Sequence, residues 1–203
     1  MVGLTGQSGA GKTAVSAVFA EAGYGVIDAD KAARDVTAPG SACCKALAEF
    51  FPEAFDAGFA LDRRRLGALV FGDRARLDLL NQTIYPFILA HIDALSDALV
   101  KAGKTLLLLD APTLFEAGAD ASCDVIVSVL ADENTRLTRV VARDGISEEQ
   151  ARKRFSSQKS AEFFRANSDY TIENNAGADA LHTAALLLAN KIKEQFDAIQ
   201  PTP

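Results

Sequence analysis

Hydrophobic residues fall into two patterns along this chain. Short apolar runs, typical of strands buried on both faces, occupy residues 2–5, 24–30, 105–110, 124–130 and 170–174. Apolar residues at helical spacing occupy most of the chain between these runs. Strands that alternate with helices form a parallel sheet with helices on both faces. The pattern therefore predicts a three-layer α/β fold, in which ligands gather at the carboxyl ends of the strands.

One long interval departs from this alternation. Residues 41–103 show an almost wholly helical pattern, apart from a loop around 52–58. Asp62 is placed to cap a helix. Pro86 is expected to kink or break the helix predicted for about 74–102, because proline cannot donate a helical hydrogen bond. We predict a single domain over residues 1–203 with a helical insertion at about 41–103.

Composition and charge narrow the class of protein. The chain is 49% hydrophobic and 24% charged, which is ordinary for a soluble globular protein. A net charge of −6 argues against general nucleic-acid binding. Three cysteines show neither a disulfide framework nor metal-ligand spacing, which indicates a reducing compartment. No apolar run is expected to reach membrane-spanning length. These features predict a cytoplasmic protein that binds no membrane.

The clearest chemical signal is a glycine-rich motif after the first predicted strand. Residues 6–13 read Gly-Gln-Ser-Gly-Ala-Gly-Lys-Thr and match the P-loop pattern G-x-x-x-x-G-K-S/T at every fixed position. Glycines let backbone N–H groups approach phosphate oxygens, and the following helix directs its positive dipole end at them. Lys12 supplies a charge for the β- and γ-phosphates, and Thr13 offers a hydroxyl to Mg²⁺. The predicted nucleotide-binding residues of this motif are Gly9, Ala10, Gly11, Lys12, Thr13 and Ala14.

Three aspartates lie at the ends of predicted strands. Asp28 and Asp30 are two residues apart, so their side chains would share a face of a strand. One of them is suited to orient Mg²⁺ through water, or to accept a proton from an attacking hydroxyl. Asp30 is equally well placed to cap the helix that starts at Lys31. Asp110 ends the third apolar run and is suited to hold Mg²⁺ or its waters.

Positive charge is concentrated in the last third of the chain. Residues 136–165 contain eight arginine and lysine residues against four acidic residues. Arg136, Arg139 and Arg143 follow spacings of three and four, which would place them along one helix face. Catalysis of phosphoryl transfer depends mostly on positioning and electrostatics. We therefore predict an arginine-rich lid at about 133–165, with an ordinary solvated helix face as the alternative.

Several segments, in order along nearly the whole chain, resemble those of dephospho-CoA kinases. The segments around 26–30 and 112–116 are much more specific to that family than the P-loop is. The matching segments are Leu-Thr-Gly at 4–6, Val-Ile-Asp-Ala-Asp at 26–30 with Arg34, Asp-Ala-Pro-Thr-Leu-Phe-Glu at 110–116, Arg139 with Arg-Asp-Gly at 143–145, Ser-Glu-Glu-Gln-Ala at 147–151, Arg154 with Gln158, and Asp-Tyr-Thr-Ile-Glu-Asn-Asn at 169–175.

This resemblance implies a P-loop kinase that uses Mg²⁺ and transfers the γ-phosphate of ATP to the 3′-hydroxyl of dephospho-CoA, the last step of coenzyme A synthesis. It also implies that the helical insertion receives the acceptor and that the arginine-rich segment closes as a lid. Asp30 would then be the catalytic base, acting with Lys12 and Arg143. Matching by position also implies that Asp28, Arg34, Pro112, Leu114, Phe115 and Glu116 lie on the acceptor side. It implies that Arg139 and Arg143 contact the phosphates, and that Thr13 and Asp110 contact the metal.

The chain departs from the usual family pattern at three places. Tyr85-Pro86 stands where the family usually has His-Pro, and Thr113-Leu114 stands where it usually has two leucines. The P-loop ends Thr13-Ala14 instead of Ser-Thr. None of these changes removes a group that the chemistry requires.

Two other functions compete with this interpretation. One is a small-molecule kinase of the same architecture that acts on a nucleoside monophosphate or another metabolite. The other is a nucleotide-switched regulator. A guanine-specific switch usually carries Asn-Lys-x-Asp after a strand, whereas Asn190-Lys191 is followed by Ile192-Lys193 within a predicted helix. The sequence therefore disfavours a GTPase switch.

Overall fold

The computed structural model describes residues 1–70 and 72–199. The strands are β1 Val2–Gly6, β2 Gly25–Asp28, β3 Leu107–Asp110, β4 Val125–Leu130 and β5 Tyr170–Glu173. The helices are α1 Lys12–Glu21, α2 Ala29–Val36, α3 Ala42–Phe50, α4 Arg63–Val70, α5 Arg74–Lys101, α6 Glu133–Asp144, α7 Glu148–Ser156, α8 Ala161–Ala166 and α9 Ala178–Ile199. Short 3₁₀ helices lie at Pro52–Ala54 and Ala119–Ser122.

The five strands form one sheet in the order β2-β3-β1-β4-β5. β1 lies parallel to both β3 and β4, and its register with β4 runs from Val2 opposite Val125 to Gly6 opposite Val129. All five residues of β1 are buried, as the continuous apolar run predicted. The predicted parallel α/β fold is therefore confirmed. Since parallel strands end at the same edge, β1, β3 and β4 deliver the P-loop, Asp110 and α6 to one side of the sheet.

The chain divides into two compact units, of which the larger comprises Met1–Val26 and the chain from Leu99 onward. Its core joins the sheet to α1 and α9, and includes the fully buried side chains of Leu4, Phe19 and Ile192. Burial of one such side chain contributes about 1.5–3 kcal/mol. This core fixes the strand and the helix that flank the P-loop.

The smaller unit spans Ile27–Ala98. It has a core of its own, formed by Cys43, Leu47, Phe51 and residues of α4, with apolar residues of α5 packed against it. The cysteines of the described chain are free, and Cys43 is buried. Burial raises the pKa of the Cys43 thiol to about 11. This thiol therefore packs as a small hydrophobic group.

Pro86 was expected to kink or break its helix, and the break does not occur, because α5 runs without interruption from Arg74 to Lys101. A proline at position 86 leaves the carbonyl of Gln82, four residues earlier, without its helical donor. Both residues are exposed, so water can satisfy that carbonyl. The helix thus tolerates a proline on its solvent side.

The expectation that no apolar stretch reaches membrane-spanning length is also wrong for α5. By length and composition alone, this helix is long and apolar enough to cross a bilayer. Leu79, Leu80, Ile84 and Phe87 of α5 pack against the core of the smaller unit. Partial burial against this core accounts for these four apolar positions, and Ile92 is the residue of α5 that is buried.

Two helix caps are well defined, and the one at Asp62 confirms a prediction. The Asp62 carboxylate accepts hydrogen bonds from the backbone N–H groups of Arg64 and Arg65, at 2.9 and 3.0 Å. Ser147 and Gln150 form a reciprocal capping box at the start of α7, as their spacing in the sequence predicts.

Candidate active site

The P-loop presents a set of backbone donors with no acceptor from the protein. The N–H groups of Gly9, Gly11, Lys12 and Thr13 make no hydrogen bond within residues 1–70 and 72–199. Unpaired N–H groups at the start of a helix form a favourable site for an anion. The arrangement is therefore suited to bind phosphate oxygens.

Two other predicted nucleotide contacts in the loop use their backbone donors internally. The Ala10 N–H donates to the Gln7 carbonyl at 3.0 Å, and the Ala14 N–H donates to the Gly11 carbonyl at 3.0 Å. Ala10 and Ala14 thus shape the turn that exposes the N–H groups beside them.

Glycine is required at the turn for steric reasons. Gly9 and Gly11 have φ values of 81° and 105°, a region that favours glycine. A Cβ atom at Gly9 would lie 2.8 Å from the Arg136 carbonyl oxygen, and one at Gly11 would lie 2.4 Å from Asn174 Nδ2. The loop is therefore packed closely against α6 and against the residue that follows β5.

Lys12 and Asp110 form an ion pair at the carboxyl edge of the sheet. The Lys12 ammonium donates to Asp110 Oδ1, and the two side chains are 16% and 12% exposed. An ion pair so little exposed is screened weakly by solvent. The structure thus brings together two residues, 98 positions apart in the sequence, that were both predicted to serve the phosphates and their metal.

The oxygen ligands predicted for Mg²⁺ are the Thr13 hydroxyl and the Asp110 carboxylate. Oxygen donors of these types fit Mg²⁺, which prefers hard ligands and usually keeps several waters. In the described part of the chain, no group of three or more His, Cys, Asp or Glu side chains could hold a metal ion by itself. A magnesium ion here would therefore need further oxygens from the nucleotide and from water.

Two residues support the P-loop from distant parts of the chain, and sequence reasoning assigned neither a role. The Ser8 N–H donates to Gln158 Oε1 at 3.1 Å, from the connection between α7 and α8. The Asn174 side chain, 5% exposed, donates to the Ala10 carbonyl at 2.7 Å. Both residues lie in segments that resemble the kinase family, and that resemblance was the signal available in the sequence.

The three arginines of α6, predicted to lie along one helix face, have different surroundings. Arg136 is buried, with its guanidinium 4.3 Å from the centre of the Phe155 ring, and burial lowers its pKa. Arg139 approaches the P-loop, with Nη1 3.4 Å from the Gly9 carbonyl oxygen. Arg143 is exposed and donates to the Asp144 carboxylate at 2.7 and 3.0 Å.

The arginine next to Asp144 shares that carboxylate with another part of the predicted lid. Arg154 Nη1 in α7 lies 2.5 Å from Asp144 Oδ2. Hydrogen bonds from Arg143 and then Arg154 hold the pKa of Asp144 well below its usual range. In this state the charge of Arg143 is therefore neutralised by a carboxylate of the protein.

The segment after β3 contains four residues that were predicted to line the acceptor site. The Thr5 hydroxyl donates to the Pro112 carbonyl at 3.3 Å, and Glu116 is exposed. Phe115 packs edge-on against Phe163 of α8, with ring centres 5.2 Å apart. Leu114 is fully buried. Its side chain thus has no exposed surface with which to meet an acceptor, and its burial indicates a packing role.

Asp28, Asp30 and Arg34 lie in the smaller unit. The expectation that Asp30 ends a strand is wrong, because β2 ends at Asp28 and Asp30 lies in the first turn of α2. Asp28 is the residue that caps α2, and its Oδ1 accepts the Lys31 N–H at 2.9 Å. Arg34 Nη2 lies 4.0 Å from Asp28 Oδ2. Asp30 is exposed and is therefore free of the capping role that competed with a chemical one.

Comparison with known proteins identifies the family of this chain. The model of the CoaE family, described as dephospho-CoA kinase, matches residues 1–180. The chain belongs to the dephospho-CoA kinase family. A dephospho-CoA kinase from Geobacillus kaustophilus is 36% identical over 200 residues, which cover 98% of both chains. One from Arabidopsis thaliana is 37% identical over 183 residues, covering 90% of this chain and 79% of the relative.

Solved structures agree with the fold. The crystal structure of TT1252 from Thermus thermophilus is 32% identical, with a TM-score of 0.79 over 93% of this chain and 96% of that one. A dephospho-CoA kinase from Campylobacter jejuni, 21% identical, has a TM-score of 0.60 over 94% and 96% of the two chains and supports the fold alone. The resemblance found in the sequence is thus confirmed, and the fold matches that of a dephospho-CoA kinase.

Proposed function

We propose that this chain transfers the γ-phosphate of ATP to the 3′-hydroxyl of dephospho-CoA and so completes coenzyme A. Membership of the family makes the chain a kinase that acts on dephospho-CoA with ATP as co-substrate. The choice of the 3′-hydroxyl and the roles of individual residues are our proposal.

The observation that carries this proposal is the set of free N–H groups in the P-loop beside Lys12. A triphosphate needs many donors at once, and these donors already lie in a fixed turn. When the β- and γ-phosphates bind, Lys12 exchanges its carboxylate partner for phosphate oxygens. Because the donors are in place beforehand, little reorganisation opposes the stabilisation of charge during transfer.

We propose that Thr13 and Asp110 hold Mg²⁺ or its water ligands. Asp110 becomes available for that role once Lys12 turns to the phosphates, since the two are paired in this state. When bound, Mg²⁺ would neutralise the negative charge that develops on the phosphate oxygens. Removal of divalent cations with EDTA should therefore abolish phosphoryl transfer, and added Mg²⁺ should restore it.

The acceptor side is proposed to involve the helical insertion at about 41–103, together with Asp28, Arg34, Pro112, Phe115 and Glu116. Asp30 is proposed as the base that orients the ribose hydroxyl and takes its proton. Its support is that Asp28 caps α2 while Asp30 is exposed in the first turn. Neither capping nor burial explains an acid at position 30.

The segment at about 133–165 is proposed as a lid that brings Arg139 and Arg143 to the phosphates. Arg139 already lies beside the loop, whereas Arg143 would have to leave Asp144. Closure of such a segment excludes water and protects ATP from hydrolysis. We further propose that the enzyme works in the cytoplasm on free small molecules, without binding nucleic acid or membranes, in keeping with its net charge of −6.

The acceptor is tested by measuring ATP consumption with dephospho-CoA, AMP, CMP and shikimate in parallel. We expect turnover with dephospho-CoA and only background hydrolysis with the other three. Turnover with a nucleoside monophosphate and none with dephospho-CoA would overturn the proposal.

The base is tested by comparing Asp30→Asn with Asp28→Asn. Asparagine caps a helix about as well as aspartate, so both variants should keep their melting temperature. If Asp30 is the base, Asp30→Asn should lower kcat by roughly 10²–10⁴-fold and leave ATP affinity unchanged. Abolished turnover in Asp28→Asn together with normal turnover in Asp30→Asn would show that the two roles are reversed.

A further inference from the structure

Asn174 occupies an unusual position for a residue outside the P-loop. It follows β5, and its buried side chain reaches across 164 positions of sequence to the Ala10 carbonyl, at 2.7 Å. Asn174 Nδ2 also lies close to Gly11, only 2.4 Å from the position that a Cβ atom on this residue would occupy. Asn174 therefore contacts one peptide group of the loop, the one that joins Ala10 to Gly11.

The hydrogen bond fixes the direction of that peptide group. A trans peptide is planar, and its C=O and N–H point in opposite directions. Because the Ala10 carbonyl is directed at Asn174, the Gly11 N–H must point away from Asn174. This N–H has no acceptor in the described part of the chain, so it is free to meet a phosphate oxygen.

Without this contact the peptide could turn over. Gly11 has no Cβ atom, and glycine adopts positive and negative φ about equally well. A flipped peptide would direct the Ala10 carbonyl to the side where the phosphates bind, replacing a donor with an acceptor that repels them. The loop sequence alone therefore permits two arrangements, of which only one binds phosphate.

Asn174 also contacts the arginine closest to the loop. Arg139 Nη1 lies 3.3 Å from the Asn174 carbonyl oxygen, and Arg139 Nη2 lies 3.5 Å from Asn174 Oδ1. The amide oxygen thus faces Arg139 while the amide nitrogen holds Ala10. One side chain orients both a backbone donor and a cationic side chain.

We propose that Asn174 is a positioning residue for the triphosphate, which keeps the Gly11 N–H and Arg139 directed at the phosphates. It acts through these two groups and does not contact the nucleotide itself. The inference rests on the proposed phosphate-binding role of the P-loop and is independent of the identity of the acceptor.

The test is ATP binding by calorimetry, without acceptor, to wild type and to variants at positions 174 and 175. Asn174→Ala should weaken ATP binding by about 5- to 30-fold, the range expected when a buried carbonyl loses its partner. Asn174→Asp should weaken it further, because a carboxylate can neither donate to Ala10 nor sit near phosphates without repulsion. Asn175→Ala is the matched control, since the Asn175 side chain also bonds to the backbone, in this case by accepting from the Asp132 N–H at 2.9 Å.

A second readout separates positioning from a merely structural role. The amide resonance of Gly11, followed by NMR without ligand, should shift or broaden in Asn174→Ala and stay in place in Asn175→Ala. If Asn174→Ala fails to fold, Asn174→Ser, which keeps a short donor, takes its place in both measurements, with the same expected direction.

The outcomes are distinguishable. Wild-type protein that does not bind ATP would refute the proposed function. With wild-type binding intact, the positioning role is overturned by an ATP dissociation constant for Asn174→Ala within twofold of wild type. It is also overturned if Asn175→Ala loses as much affinity, because the effect would then be general to this turn.

Discussion

The P-loop and the arginine-bearing helices α6–α8 are both predicted to meet the phosphates, yet they are held in different ways. The loop is fixed by contacts from far along the chain, made by the buried side chain of Asn174 and the part-buried side chain of Gln158. Most arginines of the helical segment are paired with carboxylates at the surface, as Arg143 is with Asp144 and Arg165 with Glu173.

These two kinds of contact differ in the free energy that it costs to break them. Buried hydrogen bonds are costly to leave unmade, so the loop keeps one shape with or without ligand. Exposed ion pairs are worth about 0–1 kcal/mol, so an arginine can exchange its carboxylate for a phosphate at little cost. The P-loop therefore has its phosphate-binding shape before the nucleotide binds. The arginines of the helical segment can instead exchange carboxylates for phosphate oxygens. Four measurements test this distinction.

The largest effect is expected at Lys12. Lys12→Ala should lower kcat by about 10²–10³-fold, the scale for losing one preorganised electrostatic contact, because charge on the phosphates shifts during transfer. Steady-state kinetics with ATP and dephospho-CoA provide the measurement. A near-normal kcat with only a raised KM for ATP would mean that Lys12 binds substrate and transition state equally.

The shape of the loop is tested next, with Gly11→Ala. The new Cβ atom would sit 2.4 Å from Asn174 Nδ2 at a φ of 105°, so the variant suffers both collision and backbone strain. We expect the free energy of unfolding to fall by about 1–3 kcal/mol and ATP affinity to fall by tenfold or more, the factor for about 1.4 kcal/mol.

Gly118→Ala is the matched control for this variant. Gly118 also has a positive φ, 66°, but nothing lies within 4 Å of its would-be Cβ atom. It should lose some stability and keep its affinity for ATP. Equal effects of the two changes on ATP binding would show that strain alone, and not the packing of Asn174 against the loop, determines phosphate binding.

The same contrast explains how much could be predicted from the sequence. The P-loop was readable because its function requires particular residues at fixed local spacing, and the parallel sheet was readable from five apolar runs. Asn174 and Gln158 could not be assigned, because their partners lie 164 and 150 positions away. Local spacing carries no information on which distant amide reaches a given peptide.

Predictions that failed did so where one pattern permits two structures. The spacing of Asp28 and Asp30 suited both a strand and a helix start, and the earlier end of β2 decided between them. Pro86 breaks a helix only if the carbonyl it leaves unpaired cannot reach water, which depends on exposure. Leu114 belonged to a family-like segment, but its burial follows from packing against β1 near Gly3.

A difference in mobility should accompany the difference in contacts. We expect amide hydrogen exchange in residues 133–165 to slow when ATP and dephospho-CoA bind, because closure over the phosphates orders this segment. Amides of β4 should not change and serve as the internal control. Equal exchange in this segment with and without saturating ligands would assign its arginines to ordinary solvated helix faces.

The smallest effect is expected at Asp144, the carboxylate that holds Arg143 and Arg154. Because its pKa lies below the usual value of about 3.9, the stabilisation from these pairs is complete above that pH and is lost as the pH falls through the lowered pKa of the folded state. Asp144→Asn should therefore leave the melting temperature at pH 7 nearly unchanged, since the pairs are exposed.

The kinetic consequence of Asp144→Asn follows from the proposed exchange of partners. If Asp144 competes with phosphate for Arg143, its neutralisation should raise ATP affinity, by no more than about fivefold given the worth of exposed ion pairs. Glu133→Gln is the matched control, because it removes an exposed pair with Arg152 that does not involve Arg143. It should leave ATP affinity unchanged. A loss of turnover in Asp144→Asn would show that Asp144 positions Arg143 in the closed state, so that this pair belongs with the preorganised contacts of the loop.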